Sequence, residues 1–285
     1  GAAAAADGWA AVAAASPPFA PLGSCASIGY SAKVRPRTLV TVSSLSLERD
    51  RSGEPLRSAT VSGRGAAVYA SASSLYVAAA TAWRRWGQQT AVLRFALGDD
   101  GSVAFAGALA VPGFLLSQWA LDEHVEPVAD GGSEGRRTFR VVTTTRWGWW
   151  DEAEDGAVEE GNHLFTFDVP AGGAAAPGDR LVGGDGVAPP MVQLGSLTGL
   201  APGESVYAVR FMGERLYVVT FLQVDPLFVI DLSDAAAPTL LGQLKIPGYS
   251  DYLHPLNASH LIGVGKDAEL SGRILGLKLA LFDAS

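Results

Sequence analysis

Two clusters of side chains have the composition of a recognition surface. Trp83, Arg84, Arg85 and Trp86 stand together, and Trp147, Trp149 and Trp150 precede the acidic run Asp151-Glu152-Ala153-Glu154-Asp155. Trp couples a large apolar ring to one N–H donor, and Trp and Arg are the residues over-represented where proteins grip their partners. Both clusters read as candidate interaction loops. The plainer alternative is packing between structural elements, since Trp is highly buried on average. The acidic run, extended by Glu159 and Glu160, offers oxygen ligands of the kind Ca²⁺ takes. It lacks the Asp-x-Asp-x-Asp-Gly spacing of a calcium loop and reads as a solvated segment.

Other reactive groups are sparse. His124, His163, His254 and His260 have no metal-ligand spacing, and no phosphate loop or dinucleotide fingerprint occurs, so neither a metal nor a cofactor is expected. Gly131-Gly132-Ser133-Glu134-Gly135 matches the Gly-x-Ser-x-Gly string of a nucleophile elbow, but no apolar strand precedes it and no helical pattern follows. It reads as a loop, and no catalytic residue is assigned. Asn257-Ala258-Ser259 is a glycosylation sequon in an expected turn, usable if the chain is exported. The single cysteine, Cys25, excludes an intrachain disulfide and leaves only contact with another chain.

Composition narrows the classes further. The 285 residues hold 21 Lys+Arg against 29 Asp+Glu, a formal charge of −8, which argues against nucleic acid as the partner. Six of these acids, with no basic residue among them, fall in residues 151–160. With 48% hydrophobic and 18% charged residues the chain has material for a large core. No apolar run is long enough for a transmembrane helix. Residues 1–37 are Ala- and Pro-rich, lack an initiating Met or a basic stretch, and are expected to be a linker or extension of an internal or processed piece. Leu22-Gly23-Ser24-Cys25 looks like a lipoprotein box without the flanking sequence that lipidation needs.

Whatever these groups do, β-strands must position them. From residue 38 onward, short runs of Val, Leu, Tyr, Phe and Thr alternate with Gly, Pro, Asp and Ser, and helical periodicity is nearly absent. Strands are expected at 38–47, 67–71, 74–80, 90–97, 103–109, 138–145, 163–169, 205–211, 215–221, 227–232 and 261–265. Val111-Pro112-Gly113, Ala201-Pro202-Gly203 and Ile246-Pro247-Gly248 recur as punctuation. Between them comes first a strand centred on Tyr76, Phe139-Arg140-Val141 or Tyr217, taken as inner. A strand centred on Leu93-Arg94-Phe95, residues 164–168 or residues 228–231 follows, taken as outer. The cleanest units, 64–113 and 204–248, have a period of roughly 45–50 residues, the size of a four-stranded β-propeller blade. Residues 114–203 could be one elongated blade or two degenerate ones. The expected fold is all-β, a propeller of four-stranded antiparallel blades over residues 38–285, with about 4–5 blades visible and the C-terminal one incomplete. A β-sandwich is the competing architecture.

Residues 205–233, running Ser205-Val206-Tyr207 through Leu232-Ser233, resemble the secreted prokaryotic β-propeller family distantly related to WD-type repeats. Residues 244–255 and Gly263-Val264-Gly265-Lys266-Asp267 continue the likeness, and Leu75-Tyr76-Val77 and Leu121-Asp122-Glu123 look like earlier blades of it. The resemblance implies the fold and an extracellular or cell-surface setting. It implies no reaction, because a fold alone does not confer one. The functional expectation is a non-catalytic module binding protein or glycan partners. Alternatives are a propeller hydrolase or oxidoreductase with polar groups at a central channel, and a structural subunit of a larger assembly.

Overall fold

The computed structural model describes residues 28–29, 38–45, 57–81, 89–127, 135–146, 160–170, 191–221, 225–269 and 273–284. They form five sheets. The first holds β1 (Ile28–Gly29), β2 (Leu39–Ser44) and β3 (Arg57–Ser62) in the order β1-β3-β2. Three four-stranded antiparallel meanders follow. They are β4 (Ala67–Ala70) with β5 (Ser74–Thr81), β6 (Gln89–Leu97) and β7 (Val103–Pro112); β8 (Leu121–Val125) with β9 (Arg137–Thr145), β10 (Gly161–Val169) and β11 (Gln193–Leu200); and β12 (Ser205–Met212) with β13 (Arg215–Phe221), β14 (Asp225–Asp231) and β15 (Thr239–Ile246). The last sheet has three strands, β16 (Tyr249–Asn257), β17 (His260–Ala268) and β18 (Ile274–Asp283).

The sheets stack as blades because their central strands are apolar on both faces. Successive side chains of a strand point to opposite faces, so one strand serves two seams. On β5, Val77 joins Val61, Leu93, Phe95 and Phe105 against the first sheet, while Tyr76 and Ala78 join Phe139, Val141 and Phe167 of the next blade. On β13, Leu216 and Val218 pack with Val142 and Leu164 of the preceding blade, and Tyr217 and Val219 with Leu253, Leu261 and Phe282 of the following one. Continuous apolar runs therefore mark strands covered on both sides. Each fully buried side chain of this kind stabilises by about 1.5–3 kcal/mol.

The Pro-Gly punctuation falls where the fourth strand of one blade leads to the first strand of the next. Gly113 and Gly248 have φ of +88° and +80°. A Cβ at Gly248 would stand 2.2 Å from the Lys266 carbonyl oxygen. Both the dihedral and the close approach require glycine there.

The described residues form stacked blades of a β-propeller, as the repeat predicted, and those between 114 and 203 contribute one blade. One detail is corrected. The strands taken as inner and outer are the second and third of each blade, β5/β6, β9/β10 and β13/β14. Flanked by a strand on each side and a sheet on each face, they are the most apolar and the easiest to see. The true first strands are β4, β8, β12 and β16, the inner edge of each blade; β12 packs on β16, and β4 meets β8 through the Tyr69 hydroxyl.

Candidate functional site

Charged residues inside apolar strands need partners, because an unpaired buried charge is costly. Arg94 on β6 and Arg140 on β9 are both buried. Arg94 donates from Nε to the Ser74 hydroxyl at 3.1 Å. Arg140 donates from Nε to Asp122 Oδ2 at 2.8 Å, with Nη2 on the same oxygen, and from Nη1 to the Gly213 carbonyl of the next blade at 2.7 Å. Its guanidinium also lies 5.0 Å from the centre of the Phe211 ring. Two first strands, β8 and β12, are joined through this one side chain.

Beside Asp122, Glu123 reaches back to the preceding blade. It accepts hydrogen bonds from Ser71 Oγ at 2.9 Å, from Ser73 Oγ at 3.4 Å and from the Tyr76 hydroxyl. The Glu123 N–H donates to the Tyr69 hydroxyl oxygen at 3.0 Å. Burial, reinforced by the Glu123 charge, pushes the Tyr76 phenol well above its ordinary range, and burial does the same to Tyr69. Both rings therefore act as neutral hydroxyls at any physiological pH. The two carboxylates are engaged in holding three blades together.

His124, next along β8, is held below the usual histidine range, first by burial and then by the Arg140 charge. Asp122, Glu126 and Glu214 act in the opposite direction. Because folding depresses this pKa, the unfolded chain binds more protons between the folded value and about 6.5. Stability should rise with pH across that window, be complete above it, and fall as pH drops through it. A His124→Gln variant should show a flatter stability profile as pH falls below about 6.5 in urea titrations; a profile unchanged from the parent would remove His124 from the account.

A second cluster gathers side chains from three blades. The short turn Gln118–Ala120 presents Trp119, which is 42% exposed. Arg210 of β12 stacks 4.1 Å from the Trp119 ring centre and 5.3 Å from that of Tyr252 on β16. Tyr252 meets Trp119 edge-on at 6.0 Å, and Arg210 Nε donates to the Leu253 carbonyl at 2.8 Å. Trp119 also forms part of a groove of about 650 Å³ whose walls include Ala67, Val68, Ala79, Leu115 and Leu116. Val68 and Leu116 are themselves exposed. The only polar side chains of its wall among the described residues are Ser117 and Gln118.

The sequence-predicted sites fare unevenly. Trp83, Arg84, Arg85, Trp86, Trp147, Trp149 and Trp150 lie outside the described residues, as do Cys25, the acidic run 151–155 and Ser133. Gly135 is described, in the hairpin closed by the Glu126 N–H to Arg136 carbonyl bond at 2.8 Å. Asn257 is exposed at the β16–β17 turn. At the end of β14, Asp231 caps a turn by accepting from the Ser233 N–H at 2.9 Å, which lowers its pKa, and near the end of β10 Asp168 pairs with Arg136 at 3.1 Å. Among the described residues no group of three or more His, Cys, Asp or Glu side chains could hold a metal ion. Trp119, Arg210 and Tyr252 were not singled out from sequence. The available signal was Arg210 within the apolar strand 205–211.

Stacked antiparallel blades with polar latches between their first strands define a propeller-type scaffold. The chain belongs to the family described as Beta propeller domain, which matches residues 11–285, starting upstream of the expected boundary at 38. It is similar to an uncharacterized protein of Methanocaldococcus jannaschii, 53% identical over 92 residues, 32% of this chain and 14% of that protein. It is also similar to an uncharacterized protein of Archaeoglobus fulgidus, 32% identical over 198 residues, 70% of this chain and 23% of that protein. The matches thus span less than a quarter of either relative's length.

Proposed function

We propose that this chain is a non-catalytic recognition module, acting outside the cell or at its surface, that grips an apolar segment of a protein partner in the groove beside Trp119. The observation that carries the reading is Trp119 itself. Its ring is exposed at the groove yet fixed from behind by Arg210 and Tyr252. A large ring held in place before binding loses little entropy on contact, which favours affinity. Exposed Val68 and Leu116 extend the same apolar wall, and a wall this poor in hydrogen-bonding groups suits a peptide better than a glycan. The engagement of Asp122 and Glu123 in internal hydrogen bonds favours recognition over proton transfer at the inner edge. The extracellular setting rests on the family resemblance of residues 200–267.

A phage-displayed peptide library panned on the intact chain, with a glycan array in parallel, tests the reading. Apolar peptides should be retained, and Trp119→Ala should weaken them at least about 30-fold, the scale of a central Trp anchor, with its thermal midpoint near the parent's. Retention of glycans alone, or peptide affinity untouched by Trp119→Ala, would refute it.

A further inference from the structure

The hairpin joining β16 and β17 turns at Ala258 and Ser259, between the cross-strand partners Asn257 and His260. Asn257 is exposed, and the turn is tied through its side-chain oxygen. Oδ1 accepts from the Ser259 N–H at 2.9 Å and from the Ser259 hydroxyl at 3.2 Å, and His260 Nδ1 lies 3.1 Å from it. Among the described residues Nδ2 is engaged by no hydrogen bond. The arrangement fixes the carboxamide by one end and presents its nitrogen to solvent. Hydrogen bonds to Oδ1 draw electron density from the carboxamide and ease loss of a proton from Nδ2.

The residues required for recognition are also in place. Asn257-Ala258-Ser259 has a hydroxyl two positions on and no proline between. The turn projects from the end of a sheet, with Leu256 and Ala258 also exposed, so a bulky substituent would displace no core side chain.

We propose that Asn257 Nδ2 is a site of N-linked glycosylation, with a lipid-phosphate-linked oligosaccharide as donor and an oligosaccharyltransferase as catalyst. The nitrogen attacks the anomeric carbon of the donor sugar. The N–C bond forms as the bond from that carbon to the phosphate oxygen breaks, its electron pair leaving with the phosphate, and Nδ2 gives up one proton. No oxidant or reductant is involved.

Export behind a secretion leader of a glycosylating host separates this site from the question of where the chain naturally resides. Tryptic cleavage after Lys245 and Lys266 isolates residues 246–266 for mass spectrometry. That peptide should carry a glycan mass, lost completely in Asn257→Gln and in Ser259→Ala and retained in Ser259→Thr, which keeps the hydroxyl and the hairpin. An unmodified peptide from the exported chain, beside a control sequon protein modified in the same cells, would overturn the assignment. So would a glycan mass that persists on this peptide in Asn257→Gln. Neither result would touch the groove at Trp119, which the peptide panning addresses separately.

Discussion

Replacing Arg140 by alanine should destabilise the chain by about 3–5 kcal/mol, read as a lowered urea midpoint at unchanged slope. The guanidinium is 3% exposed, while its partner Asp122 keeps 21% of its side-chain surface in water. Truncation removes two charge-assisted contacts to Asp122, one to the Gly213 carbonyl and the stack on Phe211. It leaves a carboxylate at the inner edge with no cation against it. Partial hydration of Asp122 places the expected loss toward the lower end of the range. Arg140→Lys should recover only part of it, because one ammonium cannot serve the carboxylate and the neighbouring blade's carbonyl with the same fork. The contrast is Arg136→Ala. Its pair with Asp168 is 3.1 Å long, but the side chains are 47% and 38% exposed, so its loss should cost no more than about 1 kcal/mol. Equal effects from Arg140→Ala and Arg136→Ala would show that the inter-blade latch contributes nothing special.

The strands that were legible in the sequence are those whose burial forces a simple pattern. Residues 90–97 and 215–221 are mostly apolar because each face meets another sheet, and the structure returns them as β6 and β13 nearly residue for residue. All but β3 of the strands that escaped notice are edge strands. β11 reads Gln-Leu-Gly-Ser-Leu-Thr-Gly-Leu and β15 reads Thr-Leu-Leu-Gly-Gln-Leu-Lys-Ile, both largely solvated. β8 carries Asp122, Glu123 and His124 in five residues. Glycine, charge and exposure blur a period of two, and pairing to a buried neighbour makes such segments strands. Only tertiary context supplies that.

The site was harder to read for a related reason. Composition drew attention to Trp/Arg clusters adjacent in sequence. The cluster that the structure brings together takes Trp119, Arg210 and Tyr252 from three different blades. Such a constellation is invisible to local spacing, because the blade repeat, and not the local sequence, sets which residues share a level on neighbouring first strands. Arg94, Arg140 and Arg210 were nevertheless conspicuous, each a charge within an apolar run. Treating every such charge as a demand for a partner on the next blade would have found two inter-blade contacts, Arg140 to the Gly213 carbonyl and Arg210 to the Leu253 carbonyl.

Phe139→Ala should cost about 3–5 kcal/mol, the usual range for deleting a buried aromatic ring. Phe139 has no exposed surface and stacks on the equally buried Tyr76 at 4.3 Å between ring centres, with 15° between planes, while Phe167 lies 6.5 Å away on its own blade. This ring pair is the centre of the seam between the β4–β7 and β8–β11 blades, and it sits beneath the hydrogen bond that joins Tyr76 to Glu123. Close packing on all sides leaves the cavity little room to collapse, so the full penalty is expected. Tyr76→Phe removes only the hydroxyl. It should cost less than Phe139→Ala, yet it leaves Glu123 short of one donor, so some loss is expected. A double-mutant cycle pairing Phe139→Ala with Tyr76→Ala should return a coupling of about 0.5–1.5 kcal/mol, the surplus of a stacked pair over its buried area. Because β8 follows directly from the turn bearing Trp119, loosening this seam should also increase hydrogen exchange across residues 117–125. Additive penalties, or exchange in that segment as slow as in the parent, would mean that Trp119 is held by Arg210 and Tyr252 alone.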